Sequence, residues 1–185
     1  DFFDLVVVNL YPFSETVRLT DKQDKILEQI DIGGHTLIRA AVKNYKDITV
    51  LTNPNQYTDF ISEKYDNLYF AKKAIEHIMK YDIAINNWFN QDVVGHSYKK
   101  VRELKYGLNP YMKPCYVYLK DDDEIPFTIL NGNPGYINLL DANNAIRLVL
   151  ETKLLMNRDC CASFKHNSPA GVASTNTLSD FEKEL

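Results

Sequence analysis

The chain has 185 residues, of which 45% are hydrophobic and 25% charged, ordinary globular proportions that allow one domain or two small ones around a real core. The formal net charge is -4, and 12 Tyr and 9 Phe come without any long basic run, which argues against a polynucleotide partner and leaves a mononucleotide open. No apolar stretch approaches the ~20 residues that cross a bilayer, so no membrane partner is expected.

Asp1-Phe2-Phe3-Asp4 is neither an initiator Met nor a charged signal segment, and it runs straight into a β-branched strand, Leu5 to Val8, of the kind buried on both faces of a parallel sheet. Asn9-Leu10-Tyr11-Pro12-Phe13 leaves its carboxyl end, where open α/β sheets bind ligands. A polar helix is expected from Thr20, a capping residue followed by Asp21 at the positive end of the dipole, to Gln29. Ile30-Asp31-Ile32-Gly33-Gly34 then forms a glycine turn whose N–H groups suit an anion or a polar ring edge. It opens a helix from Thr36 to Asn44 on which Arg39 and Lys43 share a face, with His35 expected in solvent. Lys46 to Leu51 is a second strand, ended by Thr52-Asn53-Pro54, and the order strand, helix, helix, strand points to a parallel sheet covered by helices.

The longest helical signal runs from Asn67 to Asn90, with Ala71, Ala74, Ile75, Ile78, Tyr81, Ile85, Trp88 and Phe89 as one core-facing stripe and His77 expected on the solvated surface. The charged stretch His96 to Glu103 has no apolar periodicity and is taken as a linker and domain boundary. Lys105 to Pro110 is turn-rich, and Asp121-Asp122-Asp123-Glu124 is a solvated loop without calcium-loop spacing. Phe127 to Leu130 reads as a strand, Asn131 to Tyr136 as a glycine turn and Asn138 to Leu155 as an amphipathic helix. Cys160 to Phe164 is a short apolar strand that Pro169 and Gly171 stop, which sets Lys165 and His166 on a strand-to-loop junction, a place that often carries catalytic groups. Cys160 and Cys161, with one further Cys, fit neither a disulfide framework nor a zinc spacing. They are expected as buried reduced thiols of a cytoplasmic protein. The last residues, Ser179 to Leu185, resemble a helix cut after its first turn.

Five segments, VVVNLYPF, IDIGGHTLIRAAVKN, LKYGLNP, LNGNPGYINLLDANNA and SFKHNSPAGVA, together and in this order resemble the bifunctional purine-biosynthesis family that joins AICAR transformylase to IMP cyclohydrolase. The resemblance implies that residues 1–97 are the later part of the cyclohydrolase domain, an α/β fold with a three-layer, methylglyoxal-synthase-like parallel sheet. Residues 98–185 are then the start of an α/β, cytidine-deaminase-like transformylase domain. It also implies an internal piece of a longer polypeptide that by itself completes neither site.

Carried over residue by residue, the resemblance assigns Asn9, Tyr11, Asp31, Ile32, Gly33, Gly34 and Lys43 to cyclisation of formyl-AICAR to IMP with loss of water. In that reaction positioning and oxyanion stabilisation supply most of the help. Asp31 and Tyr11 would move or orient protons, Lys43 would stabilise developing charge, and the glycine amides would bind the ring. The bland alternative is that Asp31 caps the next helix and Lys43 is exposed. For formyl transfer from 10-formyltetrahydrofolate to AICAR, the resemblance makes Lys165 and His166 catalytic and Lys105 and Tyr106 nucleotide contacts, with Asn133 nearby. His166 would act as base and Lys165 would meet the oxyanion or the departing folate nitrogen. No metal is implied, a monovalent cation stays open, and a homodimer is expected. Lys105 stands where the family usually has Arg, which forfeits the bidentate fork, and Asn143, Ile146 and Arg147 change a helix face. The rival readings are a catalytically inert nucleotide-binding module and a dimerisation module of the same fold.

Overall fold

Strand β1 (Leu5–Val7) lies parallel to β2 (Thr49–Leu51), with Val6 opposite Val50 and Val7 opposite Leu51. Parallel neighbours need a crossover, supplied here by three helices, α1 (Phe13–Leu19), α2 (Gln23–Leu27) and α3 (Gly33–Lys43). The computed structural model describes residues 3–120 and 123–175. The chain is a mixed α/β protein whose residues fall into two compact units, Asp1–Ser97 and Tyr98–Leu185.

In the first unit a 3-10 turn (Pro54–Gln56) and α4 (Tyr57–Ile61) follow β2, and α5 (Asn67–Phe89) closes the unit, its first turn capped by Asp66, which accepts from the Tyr69 N–H. Ala71 and Ala74 are small enough to let α5 approach β2, and with Ile78 they bury against Ile38, Ala41 and Val50. A second cluster joins Phe13, Ile26 and Tyr81, where Phe13 meets Tyr81 and Trp88 edge-on at ring separations of 6.1 Å. Each fully buried large side chain contributes about 1.5–3 kcal/mol. These two clusters therefore anchor the loops that leave the strands.

Several expectations need correction here. Two helices stand where one was expected from Thr20 to Gln29: α1 lies wholly before Thr20, and α2 fills only part of that span. Pro12 starts the first, and Thr20 is extended and accepts the Lys22 N–H on its hydroxyl, so it ends one helix and precedes the next. Helix α3 begins at Gly33, so the glycine pair is its first turn rather than a loop before it. Strand β1 is not buried on both faces, since Leu5 and Val7 are exposed, and in the α5 stripe Ile75 and Phe89 face solvent.

In the second unit the expected linker is instead strand β3 (Tyr98–Leu104), paired antiparallel with β4 (Cys115–Lys120). An exposed two-stranded ribbon tolerates charge on both faces because its hydrogen bonds, not burial, hold it, and Lys100 Nζ sits 4.1 Å from the Tyr116 ring centre. Phe127 to Leu130 forms no strand, and α6 runs from Tyr136 to Met156 without one buried residue. Strand β5 (Cys160–Lys165) turns at once into β6 (Ser168–Ser174). Pro169 and Gly171 therefore lie inside a strand that was expected to be impossible. The exposed β6 tolerates a Pro, and the register slips beside it, between Ser163 and Phe164. Cys115 and Cys160 are only half-buried and Cys161 is exposed, against the expectation of buried thiols. Asp121, Asp122 and the helix expected from Ser179 lie outside the described residues.

Candidate active sites

In the first unit the chain around Asp31 is pinned from three sides. The Asp31 N–H donates to the Tyr81 hydroxyl at 2.7 Å, and that hydroxyl donates to the Gln29 carbonyl, so one phenol from α5 ties both ends of the turn. The Gly34 N–H donates to Asp31 Oδ1 at 2.6 Å. A Cβ at Gly34 would sit 2.7 Å from Asp31 Oδ2, so only glycine lets the carboxylate lie this close, whereas Gly33 has open space around it. Burial first, then the charges of Asp31 and Asp82, push the Tyr81 phenol up, so it remains a protonated donor; the Asp31 hydrogen bond opposes this. His35, expected in solvent, is 21% exposed at its side chain and pairs through Nε2 with Asp82 at 3.1 Å.

A helix joining two parallel strands runs back along them, so the start of α3 lies at the carboxyl end of β1 with Asn9 and Tyr11, both exposed. Ile32, next to Asp31, is exposed at the same end. Lys43 is in the last turn of α3, exposed, and the helical rise puts it about 15 Å from Gly33 along the axis. The fold gathers Asp31, Gly33 and Gly34 and sets Lys43 at the other end of the helix. Asp31 does cap α3 through one oxygen, which leaves Oδ2 as its remaining acceptor.

A cleft of about 330 Å³ opens after β2, lined in part by Thr52, Asn53, Gln56, Lys73, His77 and Lys80. His77 is half-buried, not solvated, and its Nε2 has no hydrogen-bond partner. Burial, helped by the Lys80 charge, holds its imidazole below the ordinary value of 6.5.

In the second unit two of the motifs are stitched together. The Lys105 N–H donates to the Pro134 carbonyl and the Tyr136 N–H to the Tyr106 carbonyl, each at 3.1 Å. The Tyr106 ring lies against Gly135, where a Cβ would be 3.3 Å from it, and Lys105 Nζ is 5.8 Å from the ring centre. Asn133, exposed, sits one residue before this seam, and α6 starts from it. Lys165 and His166 are at the tip of the β5–β6 hairpin, where Lys165 faces Ser168 and the two-residue loop is His166-Asn167, with φ of 54° and 62°. The Asn167 N–H donates to Asp141 Oδ1 and the Asn144 amide donates to Asn167 Oδ1, both at 2.6 Å.

Residues 41–183 match the family described as the AICARFT/IMPCHase bienzyme. The chain belongs to that family. It is similar to the bifunctional purine biosynthesis protein PurH of Prochlorococcus marinus strain MIT 9312, 38% identical over 199 residues, covering 97% of this chain and 38% of that protein. The PurH protein of Caldicellulosiruptor bescii is 35% identical over 205 residues, covering 98% of this chain and 39% of its own length. The chain thus spans well under half the length of these family members. Among the described residues no three His, Cys, Asp or Glu side chains gather as a metal set, and no helix is long and apolar enough to cross a membrane.

Sequence reasoning missed four residues that shape these sites. Tyr81 was placed in an apolar stripe, yet a buried tyrosine needs a partner for its hydroxyl, and that was the available signal. Asp82, Asp141 and Asn144 carried only the weaker signal of polar residues on helices read by their apolar faces.

Proposed function

We propose that this chain is part of a bifunctional enzyme of purine nucleotide biosynthesis, which formylates AICAR from 10-formyltetrahydrofolate and then closes formyl-AICAR to IMP. The carrying observation is that 97% of the chain aligns with bifunctional PurH, so the likeness runs through both compact units. In this reading residues 1–97 are the later part of a cyclohydrolase with methylglyoxal-synthase-like layers, and residues 98–185 open a cytidine-deaminase-like transformylase. The protein works in the cytoplasm as a homodimer.

For cyclisation, the carboxamide nitrogen attacks the formyl carbon of the same molecule and water leaves. Asp31, fixed by Tyr81 and Gly34, and Tyr11 orient and move protons, while Asn9, Ile32 and the Gly33 and Gly34 backbone hold the ring. Lys43 stabilises charge in this scheme, and its place at the far end of α3 makes it the member to test separately. For formyl transfer, the AICAR amine attacks the formyl carbon while His166 takes its proton, and Lys165 meets the oxyanion or protonates the leaving folate nitrogen. Lys105, Tyr106 and Asn133 hold the nucleotide.

The test uses the full-length protein, wild type and His166→Ala, with transfer and cyclisation followed separately. Transfer falling by at least about 100-fold with cyclisation intact supports two independent sites. A wild-type protein that binds AICAR but performs neither reaction would sink the enzyme reading in favour of an inert nucleotide-binding module. Lys43→Ala is expected to reduce cyclisation alone.

A further inference from the structure

We propose that Asp141 and Asn144 are positioning residues for formyl transfer, holding the His166-Asn167 turn from one face of α6 so that the His166 imidazole and the Lys165 amine keep their aim. The inference rests on the transformylase reading of Lys165 and His166.

Two consecutive non-glycine residues in the left-handed region are disfavoured sterically, and they persist only where surrounding contacts over-determine them. The pairing of Lys165 with Ser168 makes His166 and Asn167 the two central residues of a tight hairpin turn. In such a turn the ladder does not use the amide of the second central residue, so the Asn167 N–H is left for solvent. Here it donates instead to the Asp141 carboxylate at 2.6 Å, a charge-assisted bond, while the Asn167 side chain takes a second bond of 2.6 Å from Asn144. Asp141 and Asn144 are three apart on a helix, hence neighbours on one face. Both bonds converge on the residue next to His166, and none reaches the imidazole itself. Their role is therefore indirect.

The same helix sets the distance to the nucleotide contacts. Tyr136, its first residue, is bonded to Tyr106, and Asp141 follows about 7.5 Å along the axis. One rigid element thus links the Lys105-Tyr106 seam to the Lys165-His166 turn. Asn143, Ile146 and Arg147, on the same helix, make neither of these two bonds.

The experiment compares Asp141→Ala, Asp141→Asn, Asn144→Ala and His166→Ala in the full-length protein, with transfer and cyclisation measured separately. Asp141→Ala is expected to lower the transfer kcat by about 100-fold, the scale of a misplacement near 1 Å, with the KM for AICAR within about threefold and cyclisation unchanged. Asp141→Asn keeps an acceptor oxygen for the Asn167 N–H and recovers most of that loss. If Asp141→Ala also loses cyclisation, Asn144→Ala decides: a transfer kcat down about tenfold with cyclisation intact supports the role, and wild-type transfer overturns it. Equal losses in Asp141→Ala and Asp141→Asn, or a rise in KM in place of the fall in kcat, would overturn it too. Wild-type transfer in Asp141→Ala while His166→Ala is inactive removes the positioning role and leaves the transformylase reading standing. Wild-type transfer in His166→Ala removes both.

Discussion

Among the described residues, eleven of the twelve buried apolar side chains lie in Asp1–Ser97 and only Leu104 lies in Tyr98–Leu185, so the two units hold their candidate sites by different means. In the first, the Asp31 turn hangs on Tyr81, a member of a packed aromatic cluster. In the second, the Lys165-His166 turn is held by polar side chains on a helix whose Leu150, Leu154 and Leu155 face outward. Geometry can be imposed by packing or by a few directed hydrogen bonds, and the two respond to different mutations.

The largest contrast is expected from truncation. Ile78→Ala should destabilise the first unit by about 2–5 kcal/mol in chemical unfolding, because it empties a fully enclosed site. Leu154→Ala, at 83% exposure, should stay within about 0.5 kcal/mol, and equal effects would erase the distinction.

Removing the hydroxyl of Tyr81 sharpens the comparison at the site itself. Tyr81→Phe leaves the Asp31 N–H and the Gln29 carbonyl without their partner, costing about 1–3 kcal/mol, and should slow cyclisation while sparing transfer. Unaltered cyclisation would show that the Asp31 turn holds its shape without the clamp. Gly34→Ala should cost about 1–3 kcal/mol, because the new Cβ overlaps the Asp31 carboxylate, whereas Gly33→Ala meets nothing and should be far milder on thermal melting. The reverse order would contradict the close approach of Asp31 to Gly34.

The smallest effect is a pH dependence confined to the first unit. His77 is held below 6.5 when folded, so the unfolded chain takes up its proton first as pH falls. Its contribution to stability is complete above about pH 6.5 and declines below it. Melting wild type and His77→Gln from about pH 7.5 to about 5.5 should give a steeper decline in wild type. Parallel curves would remove His77 from the account.

What could be read from residues alone followed local chemistry. The periodicity of Ala71, Ala74, Ile78 and Tyr81 marks α5 almost to its ends, because one apolar face is a local property, while the Asp66 cap went unread. Tyr98 to Leu104 failed for the opposite reason, since a charged ribbon is a strand only once β4 lies beside it. The Cys160 to Ser174 segment was half legible: the stop after Lys165 is correct, but Pro169 suggested a loop where a return strand tolerates it. At the sites, Asp31, Gly34, Lys165 and His166 were named from motifs, whereas Tyr81, Asp141 and Asn144 act from fifty, twenty-six and twenty-three residues away.

The sequence by itself determined family membership and the helices with a strong apolar face, because each is carried by residue type and short spacing. Tertiary structure alone decided that the Tyr81 hydroxyl fixes the Asp31 turn and that the His166-Asn167 turn is braced by α6. Those are distances between residues remote along the chain, and they exist only once packing and hydrogen bonding have closed the loops between them.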